Sequence, residues 1–198
     1  MDKLHYVELP NFKTLSPFIS DLALNIHIND HHIPYEKKMI RIDPDIIKYN
    51  LDFIINNSDK FNKTIMNCAR QIWNHNFYWK CLSISNDIAQ YTTTKEFFFK
   101  YFNIDKICEA GMNLFGSGWV WLVYNNNEFT IISTPNGDIP HGIIIMNIDI
   151  WEHSYYIDHC GNKLQFMRNL LKYLINWEFI HKNLSLIDKY KLYNLTDY

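Results

Sequence analysis

The chain has 198 residues, 47% of them hydrophobic and 16% aromatic, and its 19 basic and 21 acidic residues leave a formal net charge of −2. That length suits one large domain or two small ones sharing an interface, with enough apolar surface for a real core. A near-neutral balance without a basic tail or a run of like charges argues against a nucleic-acid partner. No stretch approaches the roughly 20 apolar residues of a membrane helix, and no membrane partner is expected.

The opening segment, "MDKLHYVELPNFK", has no apolar run of the signal-peptide kind. In "SPFISDLALNIHINDHHIPYEKKMI", apolar residues at Phe18, Ile19, Leu22, Ile26 and Tyr35 follow helical spacing, with Ser16 a candidate N-cap before Pro17. Pro34 predicts a kink or break. "DPDIIKYNLDFIINN" reads as a second short helix, capped by Asp43 with Pro44 in its first turn. "FNKTIMNCARQIWNHNFYWKCL" is a third, long helix whose buried face runs through Ile65, Cys68, Ile72, His75 and Trp79. "SISNDIAQYTTTK" is polar and rich in capping residues, and the domain boundary is placed there, between residues 86 and 87.

Two helices follow, at "KEFFFKYFN" and "DKICEAGMNLF", ended by "GSG". Then the period shortens. "WVWLVYNNNEFTIISTPNGD" reads as strand, Asn-rich turn and strand, and "GIIIMNID" as a third strand buried on both faces. "KLQFMRNLLKYLINWEFIHKNL" returns to helix. Helices, then sheet, then helix make the class α+β.

Cys68, Cys81, Cys108 and Cys160 form no C-x-x-C pair and fit no zinc spacing, which points to free buried thiols in a reducing compartment. The expected location is the cytoplasm, or a mitochondrial or plastid matrix if a presequence has been removed.

Among nine histidines, His5, His141, His159 and His181 sit in polar or terminal contexts and are expected to be solvated. Others are placed for chemistry. His27 lies one turn before His31 and two turns before Tyr35, so an unbroken helix would align all three. His75 lies one turn after Gln71. Asp149 ends the third strand and His153 follows four residues later. Three imidazoles and one carboxylate make an N3O donor set, and the carboxylate shifts such a set toward iron or manganese. No His has Asp or Glu two residues on, and no H-E-x-x-H occurs. Both absences argue against two-His-one-carboxylate oxygenases and zinc proteases.

The segments "ELPNF", "LSPFIS", His27 to Tyr35, "QIWNHNFYW", "FGSGWVWLV", "DIWEHSYYID" and "NWEF" occur in an order that resembles the iron/manganese superoxide dismutase family across essentially the whole chain. The resemblance implies an N-terminal antiparallel helical hairpin domain (1–86) and a C-terminal α/β domain (87–198) with a three-stranded antiparallel sheet. It implies metal ligands at His27, His75, Asp149 and His153, and one iron per subunit ahead of manganese. Tyr35 matches a gateway tyrosine, and His31 its partner at the substrate channel. Trp79, Trp119 and Trp151 match an aromatic wall around the metal. Glu152 and Tyr156 match positions that bridge two subunits of a homodimer. Gln71 carries the metal argument. The iron-type branch holds a Gln on this helix, the manganese-type branch holds it on the sheet side, and here that second position looks like Gly137. The implied activity is disproportionation of superoxide.

The surround departs from the pattern. Asp30 stands where the family has Lys, which should weaken anion guidance; Pro34 precedes Tyr35 and is expected to tilt it; Lys163 stands at an Arg position. These departures keep open an alternative, a dismutase-like structural subunit of a larger assembly such as a mitochondrial ribosome.

Overall fold

The computed structural model describes residues 4–84 and 88–195, so the boundary expected between 86 and 87 lies outside the described residues. The first helix, α1 (Asp21–Ile26), continues through a π-helical turn (His27–His32) into α2 (Ile33–Ile42). Its N-cap is Ser20, whose Oγ accepts the Ala23 N–H, and not the expected Ser16. Residues 15–19 instead form a turn in which the Phe18 and Ile19 N–H groups both reach the Leu15 carbonyl. The expected interruption at Pro34 takes the form of the π turn. Proline offers no N–H to a carbonyl four residues back, and the chain accommodates it by widening the preceding turn, where the Ile33 N–H reaches the Ile28 carbonyl.

The single helix expected after Asp43 is two pieces. Asp43 caps a 3-10 turn (Pro44–Lys48), and Asn50 caps α3 (Leu51–Asn56) separately, each side chain accepting a backbone N–H of the following turn. The long helix is α4 (Lys63–Cys81), capped by Asn62. The helices α5 (Thr92–Tyr101) and α6 (Ile104–Asn113) follow, then β1 (Gly118–Asn125), β2 (Glu128–Pro135) and β3 (Ile143–Asp149). The sheet is antiparallel in the order β2–β1–β3. Asn126 and Asn127 both adopt positive φ between β1 and β2, the conformation a two-residue hairpin loop needs and asparagine tolerates. The helices α7 (Glu152–His159), α8 (Lys163–Tyr173), α9 (Trp177–Leu184) and α10 (Asp188–Leu195) complete the chain. The helix expected from Lys163 onward therefore breaks at Leu174, and Asn176 caps the new start.

Two apolar cores meet at α4. One gathers Ile33, Met39, Ile46, Ile54, Ile65 and Ile72; the other surrounds the sheet with Trp119, Trp121, Phe98, Met146 and Leu170. All five residues of the expected α4 face are buried. The helix that carries Gln71 and His75 is thus clamped along its length between the two halves. His181 is not solvated as expected: Thr94 Oγ1 and Tyr190 OH lie 2.9 and 2.8 Å from its Nδ1, tying α5, α9 and α10 together. His159 Nε2 is likewise buried, with its ring against Phe166. In both cases tertiary packing covers a position whose sequence neighbours are polar.

Candidate metal centre

One donor atom from each of His27, His75, Asp149 and His153 lies within 4.8 Å of the other three. Asp149 Oδ2 sits 3.2 Å from His27 Nε2, 3.4 Å from His75 Nε2 and 3.2 Å from His153 Nε2. His27 comes from the start of the π turn, His75 from mid-α4, Asp149 from the end of β3 and His153 from the first turn of α7.

Local bonds aim each donor. Asp149 Oδ1 accepts the Trp151 N–H at 2.9 Å, a turn that folds the chain back and delivers His153 to the same carboxylate. This spends Oδ1 on the backbone and leaves Oδ2 facing the imidazoles. His75 Nδ1 lies 2.7 Å from the Gln71 carbonyl, which accepts its N–H and leaves the Nε2 lone pair facing inward.

The electrostatics call for a cation. Burial pushes His27 down to about 4, against the pull of Asp149, and burial also holds His75 well below its ordinary value. Burial would raise the Asp149 pKa, but the His153 and His27 imidazoles outweigh it and hold the carboxyl far below the usual range. Near neutrality, the neutral imidazoles of His27 and His75 therefore face an ionised, wholly buried carboxylate. The Nε2 atoms of His27 and His75 are buried without a hydrogen-bond partner among the described residues. Such orphaned donors are costly unless something binds them, and a metal ion fits an N3O set of this charge.

Around this cluster, Trp79 lies edge-on to His27 at 4.7 Å between ring centroids, Trp119 edge-on to His75 at 5.0 Å, and Trp151 at 5.8 Å from His153. Trp119 is directly opposite Asp149 in the β1–β3 register, so the pleat puts wall and carboxylate on one face. His31 stacks on His153 at 4.1 Å, and Tyr35 lies 6.0 Å from His75. Both are half-buried. Burial, then Asp149, pushes the Tyr35 hydroxyl up to about 12, so it stays protonated. Burial, then His153, lowers His31.

Gln71 is 1% exposed, and its Oε1 has no hydrogen-bond partner among the described residues. A Cβ built on Gly137 would lie 3.4 Å from Gln71 Cδ, so the two positions share one space. Glu152 and Tyr156 face outward, Tyr156 with 55% of its surface exposed.

Sequence reasoning missed His32 and Tyr78. His32 is 0% exposed and stacks on His75; Tyr78 is buried 6.1 Å from the His27 ring. The available signals were the "HH" pair and the "YW" pair. On a regular α-helix neighbouring residues diverge by about 100°, so His31 and His32 would not both be expected at one site.

Two family profiles match the chain: "Iron/manganese superoxide dismutases, alpha-hairpin domain" over residues 2–83 and "Iron/manganese superoxide dismutases, C-terminal domain" over residues 90–183. The chain is 35% identical to the "Superoxide dismutase [Fe]" of Plasmodium falciparum over 205 aligned positions, covering 90% of this chain and 96% of that protein. It is 32% identical to the "Superoxide dismutase [Mn/Fe]" of Rickettsia typhi over 195 positions, covering 89% and 91%.

Proposed function

This chain belongs to the iron/manganese superoxide dismutases, and from that premise we propose that it disproportionates superoxide at an iron ion held by His27, His75, Asp149 and His153. The observation that carries the proposal is the convergence of three imidazole nitrogens on one buried carboxylate oxygen. When bound, the metal supplies the one-electron oxidation and reduction by which two superoxide anions and two protons become dioxygen and hydrogen peroxide.

The chain's own groups perform the remaining tasks. Tyr35 keeps its hydroxyl proton at the rim of the site, and His31, stacked on His153, offers a second proton-carrying ring. Trp79, Trp119 and Trp151 wall the donors from bulk water, which strengthens every charge interaction inside. Gln71 holds an amide with an unused acceptor one turn before His75, placed to set the protonation of a small solvent molecule at the centre. Gln71 opposite Gly137 supports iron over manganese, and the Plasmodium relative is named as an iron enzyme. The structural-subunit alternative finds no support, since all four donors are present and converge.

We also read the protein as a homodimer in which Glu152 of one subunit meets His153 of the other and Tyr156 meets His31. The outward placement of Glu152 and Tyr156 beside the site supports this. Glu152→Ala is expected to weaken the dimer, and sedimentation on dilution tests it. For the activity, metal-stripped protein is reloaded with iron or manganese, and metal content and superoxide consumption are measured on one preparation. Turnover with iron near one per chain is expected. Stoichiometric metal without turnover refutes the enzymatic reading, and turnover with manganese alone refutes the iron assignment.

A further inference from the structure

His32 packs against the site but has been given no role in it. It is fully buried at the end of the π turn, and it lies outside the four-donor cluster. Its ring lies 5.0 Å from that of His75 at an interplanar angle of 18°, an offset stack. Its Nδ1 accepts the Trp79 indole N–H at 3.0 Å. That indole in turn stands edge-on to His27 at 4.7 Å.

We propose that His32 is a positioning residue that supports two donors of the metal centre by two separate contacts: it fixes the ring plane of His75 by stacking, and it fixes His27 through the hydrogen-bonded indole of Trp79. The inference rests on the metal-centre reading above and adds a residue to it.

The physical case has three parts. An imidazole donor has one stiff axis set by its own hydrogen bond, and His75 Nδ1 has that bond to the Gln71 carbonyl; rotation about it is limited only by what packs on the ring faces. His32 is such a packing surface, and it cannot swing away while the indole N–H holds its Nδ1. The indole N–H is the second part: buried, it needs an acceptor, and His32 supplies it in neutral form with Nδ1 unprotonated. The π turn is the third. It brings His31 and His32, adjacent in sequence, both against the cluster, one on His153 and the other on His75.

Two variants separate the contacts. His32→Phe keeps an aromatic face against His75 but removes the acceptor for Trp79. His32→Gln keeps an acceptor but removes the stacked ring. The readouts are iron dissociation into excess chelator and the ferric electron paramagnetic resonance spectrum, on protein loaded to the wild-type iron content. Each variant is expected to release iron roughly ten times faster, the usual scale for losing a group that orients a metal ligand, and each is expected to shift the ferric spectrum. Trp79→Phe is expected to cost less in the His32→Phe background than in the wild-type chain, because the hydrogen bond both changes remove is already gone. Wild-type release rates and spectra in both single variants overturn the inference while leaving the metal centre intact. A wild-type chain that takes up no iron overturns the metal-centre reading and this one with it. If His32→Gln fails to fold, His32→Phe with and without Trp79→Phe still decides: additive effects of those two changes overturn the indole route.

Discussion

The contact between Gln71 and Gly137 permits a quantitative test of the metal assignment. Gly137 has no positive φ, and a Cβ there would stand 3.4 Å from Gln71 Cδ and 3.5 Å from Asn67 Oδ1, ordinary van der Waals distances. Gly137→Ala should therefore be tolerated, and it should gain about 0.4–1 kcal/mol by restricting the unfolded chain. Gly137→Gln adds four further heavy atoms that point into the volume Gln71 fills, and overpacking of this kind costs about 1–3 kcal/mol. Gln71→Ala empties that volume. The combination of Gln71→Ala with Gly137→Gln should recover much of the loss, giving a coupling of roughly 1–3 kcal/mol. For a chain of this size each kcal/mol moves the melting temperature by about 2–4 °C, so Gly137→Gln alone should lower it by roughly 2–12 °C. Calorimetry on the four proteins of the cycle measures the coupling, and the ratio of iron-loaded to manganese-loaded activity measures the tuning. If Gly137→Gln melts at the parent temperature, or the two changes simply add, the two side chains do not compete for one space. If the activity ratio is the same in all four proteins, the amide does not select the metal.

Glu36, beside Tyr35, is buried, and its carboxylate accepts the N–H groups of His5, Tyr6 and Val7 at 2.7–3.2 Å, anchoring the N-terminal segment to α2. Glu36→Gln should cost about 1–2 kcal/mol and Glu36→Leu roughly 3 kcal/mol or more, as buried donors lose their acceptor; equal stability in urea unfolding would refute the anchor. Burial, then Glu36, pushes Tyr6 up to about 12, and its hydroxyl donates to the Ile46 carbonyl at 2.6 Å. The unfolded chain loses this proton near 10, before the folded chain does, so the stabilisation is complete below 10 and is lost as pH rises toward 12. Tyr6→Phe should lower stability at neutral pH by about 1 kcal/mol and flatten the alkaline decline; an unchanged alkaline slope in denaturant titrations would count against this. Asp30 is exposed on the π turn, and Asp30→Lys should raise kcat/KM severalfold at low ionic strength, with the gain fading as salt is added. A gain indifferent to salt would mean the effect is not electrostatic guidance.

What could be read from the sequence alone was local or carried by dense motifs. The buried face of α4 follows from residue spacing, since one helical period decides it. The hairpin at Asn126 and Asn127 follows from the turn chemistry of those residues. Gln71, His75, Asp149 and His153 were legible because "QIWNHNFYW" and "DIWEHSYYID" concentrate rare residue types in a short span, and His27 because His31 and Tyr35 follow it at helical spacing. Tertiary structure decided the rest. Residues 27, 75, 149 and 153 come from four elements, and only the packing of α4 between two cores brings their donors within 4.8 Å. Ser20 caps α1 in place of Ser16 because the Leu15 carbonyl takes the next turn's N–H groups. His181 is held by Thr94, from a helix distant in the chain, and by Tyr190 of the helix that follows its own. His32 faces the site because a π turn, made where Pro34 withholds an N–H, rotates it there. Propensity and spacing act over a few residues, whereas the direction in which a buried ring points is set by whatever the rest of the chain packs against it.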